Sequence, residues 1–272
     1  MRIAIIGCGY VGTAAARYWR EKLGWTVTAT TTRPERLPEL EAIADRALVV
    51  HSSDLQALTA AVQDQQAVLL SVGAPHFSAY EQTYLQSAKQ LIAALKSAPT
   101  VRQLLYTGSY AVYGDRDGAW VDESSALKPA NRNAEILTET EQVLRLGAGE
   151  CDVCLLRLGG IYGPERDLLD IFGWAAGTTL PGDGSDYSNW IHLEDIVGAL
   201  TFALEHRLAG VFNLVGDDPL TRRALLEHLF HLHNLDVPNW DGTVAALPRP
   251  YNARVSNAKL KATGYSLCRP HI

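Results

Sequence analysis

Runs of lysine or arginine are absent from the 272-residue sequence, which carries a formal net charge of −6. A general nucleic-acid binder or a protein of anionic membrane surfaces would show a basic stripe, so both classes are disfavoured. No apolar segment approaches the roughly 20 residues that a membrane-spanning helix needs, and no apolar signal region precedes the first predicted strand. We therefore expect a cytoplasmic protein that acts on a small molecule, without nucleic-acid or membrane partners.

Cysteine is also scarce, with four residues in the chain, and only Cys151 and Cys154 have a spacing that metal sites use. They lie in an apolar run that is predicted to be a strand, where positions three apart point to opposite faces. Three histidines in one late helix have no nearby acid or cysteine to complete a ligand set. The sequence therefore predicts no metal site.

Short apolar runs alternate with helix-length segments through the first 160 residues, a pattern typical of parallel strands joined by crossover helices. The pattern predicts an α/β fold: a Rossmann-type doubly wound parallel sheet with a small C-terminal substrate lobe. We expect residues 1–160 to form an NAD(P)-binding domain, completed by about 191–216. Residues 161–190 and 217–272 would form the substrate lobe.

The predicted strands in the first 160 residues are Arg2 to Ile6, Thr26 to Thr30, Ala47 to Val50, Ala67 to Ser71, Gln103 to Tyr106 and Val153 to Arg157. The predicted helices among them are Val11 to Leu23, Leu55 to Gln63, Tyr80 to Lys96 and Ala134 to Leu146. Later elements are a helix from Leu193 to His206, a strand from Gly210 to Val215, and a helix from Thr221 to His233 with Thr221 as its N-cap. The tail after Pro238 is predicted to be irregular.

A glycine motif follows the first strand and opens the first helix: Gly7, Gly9 and Gly12 have the Gly-x-Gly-x-x-Gly spacing. Gly7 allows a tight turn, Gly9 lets the backbone approach a pyrophosphate, and Gly12 lets helix and strand pack closely. The first helical residues, Tyr10 and Val11, belong to the N-terminus whose N–H groups would face the anion. The motif predicts dinucleotide binding, and the alternative is a tight turn without a ligand.

The second strand ends in Thr30-Thr31-Thr32-Arg33, with Arg36 one turn further on, and no acid is present at this tip. An Asp or Glu would accept a hydrogen bond from the ribose 2′-hydroxyl of NAD, whereas hydroxyls and an arginine suit a 2′-phosphate. We therefore expect Thr31, Arg33 and Arg36 to select NADP, with NAD as the second cofactor. The alternative is that Arg33 is a solvated surface residue.

The ends of the next two strands supply further candidate cofactor contacts. Asp54 and Leu55 follow the third strand and would lie near adenine. Ser71, Gly73 and Ala74 follow the fourth strand, where a small-residue loop lets the backbone approach the cofactor. Glycine and proline also simply end strands, so this second interpretation stays open.

Three later segments carry a family resemblance. The segment Ser109 to Gly114 resembles the Ser-x-x-Val-Tyr-Gly signature of extended short-chain dehydrogenases, the group that holds nucleotide-sugar epimerases, dehydratases and reductases. Leu156 to Pro164 resembles the Tyr-Gly-Pro loop of that family, and Asn189 to Ile196 is similar to its Ile-His-Val-Asp-Asp helix start. Because these segments and the glycine motif span most of the chain, the sequence is identified as a member of the NAD-dependent epimerase/dehydratase family.

The resemblance implies roles for five residues. Ser109 would hydrogen-bond the substrate hydroxyl or carbonyl, and its alternative is a turn serine. Tyr113 and Tyr162 would pack or line the substrate site. His192 would contact substrate or cap a helix, and Arg249 would meet a phosphate of a nucleotide sugar unless it is simply exposed.

The proton carrier of the family, a Tyr-x-x-x-Lys pair, is missing, because no tyrosine lies between Tyr113 and Tyr162. The tyrosine position falls on Asn133, and Leu137 stands where the lysine belongs. An asparagine amide does not titrate and a leucine supplies no charge. Loss of general acid/base help typically costs roughly 10²–10⁴-fold in rate.

We therefore expect an NAD(P)-binding protein that resembles nucleotide-sugar epimerases and reductases, with hydride transfer at a substrate hydroxyl or carbonyl in an atypical active site. The alternative is a catalytically impaired, NADP-dependent sensor or regulatory scaffold, which Asn133 and Leu137 favour. By resemblance, the helices Tyr80 to Lys96 and Ala134 to Leu146 would form a homodimer interface.

Overall fold

The structure is a computed structural model that describes residues 1–243 and 251–272. The chain divides into two compact units. The first unit consists of Met1–Ser109, Arg132–Arg157 and Ile196–Phe212; the second consists of Tyr110–Asn131, Leu158–Asp195 and Asn213–Ile272.

The described strands, in chain order, are β1 (Arg2–Ile6), β2 (Thr26–Thr31), β3 (Arg46–Val49), β4 (Ala67–Leu70), β5 (Gln103–Ser109), β6 (Trp120–Val121), β7 (Asp152–Leu158), β8 (Gly160–Tyr162), β9 (Thr179–Leu180), β10 (Tyr187–Ser188), β11 (Trp190–His192), β12 (Gly210–Leu214), β13 (Leu220–Thr221), β14 (Asn239–Trp240) and β15 (Arg254–Val255). The described α-helices are α1 (Tyr10–Leu23), α2 (Leu37–Ile43), α3 (Leu55–Val62), α4 (Ser87–Leu95), α5 (Arg132–Gly147), α6 (Leu168–Phe172), α7 (Leu193–Glu205), α8 (Arg222–Leu232) and α9 (Ala258–Ala262). A π-helical segment, Glu81–Gln86, leads into α4, and 3₁₀ turns lie at Pro34–Arg36, Phe77–Ala79, Tyr110–Tyr113 and Gly173–Ala175.

One seven-stranded parallel sheet dominates the fold, in the order β12-β7-β5-β4-β1-β2-β3. The predicted α/β class and Rossmann-type sheet are therefore confirmed. Strand β5 runs three residues beyond its predicted end, through Ser109, and α2 was not predicted. Because the strands are parallel, their carboxyl ends share one edge of the sheet, and the loops that follow them lie at that edge.

Helices cover both faces of the sheet, as the doubly wound prediction requires. On one face, α3, α4 and α5 pack on strands β1, β4 and β5 around a buried cluster that includes Leu58, Leu91, Leu104 and Leu144. On the other face, the fully buried Trp19 of α1 donates from Nε1 to Thr201 Oγ1 of α7 at 2.8 Å. Burial of these apolar side chains is the main stabilising term of the unit, at roughly 25 cal/mol per Å² of apolar surface.

The second unit holds four two-stranded ladders and a core of its own, centred on Trp190, Leu225, Leu229 and Phe230. Helix α8 begins as predicted, because Thr221 Oγ1 accepts the backbone N–H of Ala224 at 3.1 Å. The tail that was predicted to be irregular contains three short elements, β14, β15 and α9.

Residues 110–131 group with the second unit rather than with the nucleotide-binding half of the chain, where the sequence placed them. The reason is a strand pairing that joins distant parts of the sequence: β6 pairs in parallel with β15, with Val121 opposite Val255. Such a pairing leaves no local sequence signal, since the two strands are only two residues long.

Within the two described ranges, none of the helices combines the length and the hydropathy of a membrane span. The same residues contain no group of three or more histidine, cysteine, aspartate or glutamate side chains that could hold a metal ion.

A buried ion pair joins α5 to strand β7. Arg157 donates from Nη2 to Glu141 Oε2 at 2.7 Å and from Nε to Oε1 at 3.0 Å, and both side chains are 4% exposed. An ion pair on the same helix has the same shortest distance but faces solvent: Arg132 Nη1 lies 2.7 Å from Glu139 Oε1, with side chains 55% and 42% exposed. The two pairs share their shortest distance and differ mainly in burial, although Arg132 also lies near Glu81 and Glu135.

We expect Glu141→Gln to lower the free energy of unfolding by about 3–5 kcal/mol, because it leaves the Arg157 charge buried without its counter-charge. Glu139→Gln should change it little, since water solvates Arg132. Urea unfolding followed by far-ultraviolet circular dichroism measures both variants. Equal effects of the two substitutions would show that the buried pair does not anchor α5.

Candidate functional site

The glycine motif packs tightly at two of its three glycines. A Cβ atom on Gly12 would lie 2.6 Å from the carbonyl oxygen of Gly7, so α1 could not approach the end of β1 with any larger residue there. Gly7 has φ +95°, and a Cβ atom on it would lie 2.7 Å from the carbonyl oxygen of Ser71. Packing at Gly12, and packing together with a positive φ at Gly7, therefore suffice to explain why these residues are glycines.

Gly9 has no such reason. Its φ is −81°, which any residue adopts, and a Cβ atom on it would meet no protein atom within 4 Å. Gly9 is the N-cap of α1, where no side chain caps the helix and no acid lies in the first turn. The space above Gly9, together with the N–H groups of Tyr10 and Val11 at the helix start, fits the approach of a pyrophosphate.

Thr30, one residue before the predicted ribose contacts, fixes the loop from the neighbouring strand. Its Oγ1 accepts the N–H of Gly7 at 3.0 Å, and its carbonyl oxygen accepts the N–H of Cys8 at 2.8 Å. Burial raises the pKa of the Cys8 thiol to about 12, so this thiol is neutral and has no nucleophilic role. The two hydrogen bonds to Thr30 thus hold the loop between β1 and α1 in place.

The two predicted arginines have different surroundings. Arg36 donates to the carbonyl oxygen of Cys8, and its Nη2 lies 2.7 Å from Glu39 Oε1. The hydrogen bond from Arg36 lowers the pKa of the Glu39 carboxyl. Arg33 is exposed and makes no ion pair with any described residue, while its backbone N–H donates to Thr31 Oγ1 at 3.1 Å. Of the two arginines, Arg33 is therefore the one without an acid partner among the described residues, near the end of β2 where the ribose contact is predicted.

The loops after β3 and β4 hold the remaining predicted cofactor contacts. Asp54 caps α3 by accepting the N–H of Ala57 at 2.8 Å, and Leu55 beside it is 42% exposed. Ser71 is buried and accepts a hydrogen bond from Thr107 at 3.1 Å, so its hydroxyl joins β4 to β5. Gly73, like Gly9, has open space where a Cβ atom would lie, and Ala74 follows it. The cofactor roles of these residues stay predictions.

Ser109 is the last residue of β5, so it lies at the carboxyl edge of the sheet beside the end of β4. Asn133 is the second residue of α5 and half-buried, and its amide has no hydrogen-bond partner in the described part of the chain. Leu137, one turn further along α5, is buried at 5% exposure. The first turns of this helix thus offer an uncommitted amide at Asn133 and an uncharged side chain at Leu137, the predicted position of the lysine.

Three tyrosines on or next to the π-helical segment, Tyr80, Tyr84 and Tyr106, were not predicted as site residues. The rings of Tyr80 and Tyr84 lie 5.1 Å apart, and Tyr84 packs against the cluster that contains the fully buried Tyr106. Tyr106 Oη has no hydrogen-bond partner among the described residues. The spacing of Tyr80 and Tyr84 was visible in the sequence, but it fitted an ordinary covering helix. Tyr106 lies in a strand, and only packing brings it to this helix.

The second unit places its three predicted site residues as follows. Tyr113 is fully buried and donates to Asn213 Oδ1 at 2.8 Å, which supports the packing role rather than the lining role. His192 Nδ1 accepts the N–H of Glu194 at 3.2 Å, which is the capping role that the sequence left open. The half-buried Tyr162 ring meets His192 edge to face, with ring centroids 5.0 Å apart.

One arginine of the second unit is held by aromatic rings and a carbonyl oxygen. Arg254 lies over the rings of Trp120 and Tyr187, at 5.4 and 5.0 Å from their centroids, and donates from Nε to Gly118 O at 2.7 Å. No carboxylate pairs with its guanidinium within the described ranges. Arg249, the predicted phosphate contact, lies outside the described residues.

Comparisons with known proteins agree with the fold and the glycine motif. A sequence model of the NAD dependent epimerase/dehydratase family matches residues 3–214. Protein YeeZ of Escherichia coli K12 is 29% identical over 248 residues, which cover 88% of this chain and 86% of YeeZ.

Two solved structures share the fold over nearly the whole of both chains. A functionally unknown conserved protein from Silicibacter pomeroyi has a TM-score of 0.78 at 23% identity, covering 99% of this chain and 94% of its own. The NAD complex of UDP-glucuronic acid 4-epimerase from Bacillus cereus has a TM-score of 0.80 at 16% identity, covering 100% and 94%.

Proposed function

The chain belongs to the NAD dependent epimerase/dehydratase family, and we propose that it binds a nicotinamide dinucleotide and interconverts alcohol and carbonyl groups on a small substrate. One observation carries the proposal: Gly9 has open space above it although neither its φ nor its packing requires a glycine. A glycine at such a position is explained by a ligand that approaches the backbone.

The residues of the first unit take complementary parts in this function. The N–H groups at the start of α1 hold the pyrophosphate, and the open backbone at Gly73 borders the nicotinamide half. The bound nicotinamide supplies or accepts the electron pair and hydrogen of the reaction. Ser109, at the edge of β5, orients the substrate oxygen by a hydrogen bond.

Gly9→Ala should weaken nicotinamide dinucleotide binding by about 10-fold or more, since a methyl group then occupies the space of the pyrophosphate. Its unfolding midpoint should stay close to that of the wild type, because the methyl group meets no protein atom. Calorimetric titration with NADPH and NADH measures binding.

Gly12→Ala is the contrasting variant. Its methyl group meets Gly7 O, so we expect a loss of about 1–3 kcal/mol in the free energy of unfolding. If the wild-type protein binds neither dinucleotide at millimolar concentration, the proposed function is wrong.

NADP is the cofactor that we propose over NAD. Arg33 is exposed, has no acid partner within the described ranges and lies at the end of β2, where an adenosine ribose carries its 2′ substituent. Arg36 is already paired with Glu39 and tied to the glycine loop, so it contributes less positive charge. The family description and the solved neighbour name NAD, which makes the preference a property to be measured on this chain.

Arg33→Gln should weaken NADPH binding by about 10-fold and leave NADH binding within about 2-fold, because only NADPH carries the 2′-phosphate. Arg145→Gln removes the same charge from the exposed end of α5 and serves as the control. Tighter binding of NADH than of NADPH by the wild-type protein would contradict the preference.

A nucleotide sugar is the substrate class that we propose. The solved neighbour from Bacillus cereus acts on UDP-glucuronic acid, as its name states. In this chain, Arg254 offers a guanidinium without an acid partner among the described residues, and two aromatic rings and a carbonyl oxygen hold it in place. An arginine held in this way is suited to a diphosphate, which accepts two parallel hydrogen bonds.

Arg254→Gln should weaken the binding of UDP-glucuronic acid, used here as a probe of the class, by about 10-fold. Binding of NADPH should not change. Arg269→Gln, which removes an arginine that pairs with Glu194 in the same unit, is the matched control. Absence of measurable UDP-glucuronic acid and UDP binding in the wild type would reject the nucleotide-sugar class.

The second candidate function is that of a cofactor-dependent sensor or scaffold without turnover. It is favoured by Asn133 and the buried Leu137, which remove the acid/base pair of the family from α5. Ser109→Ala separates the two functions. It should abolish turnover in an enzyme, whereas the cofactor-dependent binding of a partner protein to a sensor should not respond to it.

A further inference from the structure

We propose that the Tyr84 hydroxyl replaces the missing Tyr-x-x-x-Lys pair as the proton donor to the substrate oxygen beside the nicotinamide. The proposal rests on the proposed function, since it needs a bound nicotinamide dinucleotide and a substrate with an alcohol or carbonyl group. It assigns a chemical role to a residue outside α5, the helix where the family carries its pair.

Tyr84 touches the predicted cofactor loop directly. Burial, together with Tyr80, raises the pKa of the Tyr84 phenol to about 12, and a backbone hydrogen bond from Ala74 opposes that rise. A backbone contact that favours the ionised phenol must be donated by the N–H of Ala74 to Tyr84 Oη. The hydroxyl oxygen therefore accepts a hydrogen bond, and the hydroxyl proton has no acceptor among the described residues.

The position of Tyr84 in the fold also suits the role. Its segment enters α4 from the carboxyl edge of the sheet, where Ser109 ends β5. Glu81 Oε2, three residues before Tyr84, lies 3.7 Å from Arg132 Nη2 at the first residue of α5. The start of the π-helical segment is therefore adjacent to the start of α5, where Asn133 leaves the family's tyrosine position without a titrating group.

The π-helical geometry of Glu81–Gln86 is a second indication. π-helical segments are rare in proteins, and those that occur often lie at functional sites, because the extra residue in the turn redirects a side chain. Tyr84 lies within this segment, and Tyr80, with its ring 5.1 Å away, stands just before it. Half-buried, the Tyr84 side chain keeps part of its surface accessible.

Tyr106 supplies a third observation. Its hydroxyl is fully buried and has no partner in the described part of the chain, although buried polar groups are almost always hydrogen-bonded. Burial, Tyr84, Glu141 and Tyr80 all raise the pKa of Tyr106, so it stays neutral behind Tyr84. Because burial and Tyr80 raise the pKa of Tyr84, its phenol also stays protonated at neutral pH, which is the form that a proton donor needs.

In the direction that forms an alcohol, a reduced dinucleotide would supply a hydride to the carbonyl carbon, and Tyr84 would supply the proton to the carbonyl oxygen. The O–H bond of Tyr84 breaks, and a new O–H bond forms on the substrate oxygen. The electron pair of the broken bond stays on Tyr84, which becomes a phenolate that the N–H of Ala74 stabilises. A solvent water then returns the proton to Tyr84. In the opposite direction the same phenolate accepts the proton of the alcohol.

The experiment replaces single tyrosines by 3-fluorotyrosine, whose fluorine resonance reports the ionisation of that one phenol. Tyr84→3-fluorotyrosine is titrated from about pH 7 to about pH 11 without ligand, with the oxidised dinucleotide, and with the reduced one. The oxidised nicotinamide ring carries a positive charge and the reduced ring does not, so the two forms are a matched pair. Tyr80→3-fluorotyrosine, one turn earlier, is the control for position.

We expect the oxidised dinucleotide to lower the pKa of residue 84 by about 1–3, and the reduced form to leave it almost unchanged. The control at residue 80 should respond less. The proposal would be overturned if the pKa of residue 84 stays unchanged while calorimetry shows that the oxidised dinucleotide is bound. If calorimetry shows no binding, the proposed function fails and the role of Tyr84 fails with it, so the two failures are distinguishable.

A second measurement uses the hydroxyl itself. Tyr84→Phe should lower kcat about 100-fold on any nucleotide sugar that the wild type converts, with cofactor affinity unchanged, whereas Tyr106→Phe should keep kcat within a few-fold. Retention of wild-type kcat by Tyr84→Phe would also overturn the proposal. If the phenylalanine variant does not fold, the fluorotyrosine titration decides alone, because it keeps the hydroxyl.

Discussion

The close approach of α1 to the end of β1 is the constraint on which the rest of the first unit depends. Gly12 and Gly7 allow it, because a Cβ atom on Gly12 would lie 2.6 Å from the Gly7 carbonyl oxygen. With the helix that close, its uncapped N-terminus lies directly at the end of β1, an interior strand of the sheet. Thr30 of β2 and Arg36, which follows this strand, then hydrogen-bond to the loop between β1 and α1. Of the three motif glycines, Gly9 is the one without a protein contact at its Cβ position, and in the proposed function a ligand supplies the reason for it.

Charge is distributed unusually around α5. The buried charges of this helix are committed to structure, since Glu141 pairs with Arg157 inside the first unit. At the solvent side, Arg132 is shared among Glu81, Glu135 and Glu139. Leu137 leaves no cation to lower the pKa of a nearby phenol. A tyrosine in such surroundings remains a weak acid, which suits a donor of protons better than a base, until the charge of an oxidised nicotinamide is added.

The family and the fold are established more firmly than the chemistry. The family model matches residues 3–214, and the solved neighbours share the sheet and its helices over nearly the whole chain. One fold serves many activities, so the activity of this chain has to be argued from its own side chains. Those side chains include Ser109 at the end of β5, and Tyr84, which accepts a backbone hydrogen bond from Ala74 and packs against the cluster that contains Tyr106.

The sequence by itself determined the sheet strands, the covering helices and the glycine motif, because these depend on local periodicity and on residues that are neighbours in the chain. It also determined that α5 contains neither tyrosine nor lysine. The tertiary structure decided which of two arginines is free, since Glu39 reaches Arg36 only after α2 has formed. It also gave Tyr113 and His192 packing and capping partners. The contact of Tyr84 with Ala74, and the burial of Tyr106 behind it, join a loop, a π-helical segment and a strand. Such contacts leave no signal in any one stretch of sequence, since packing alone brings the three together.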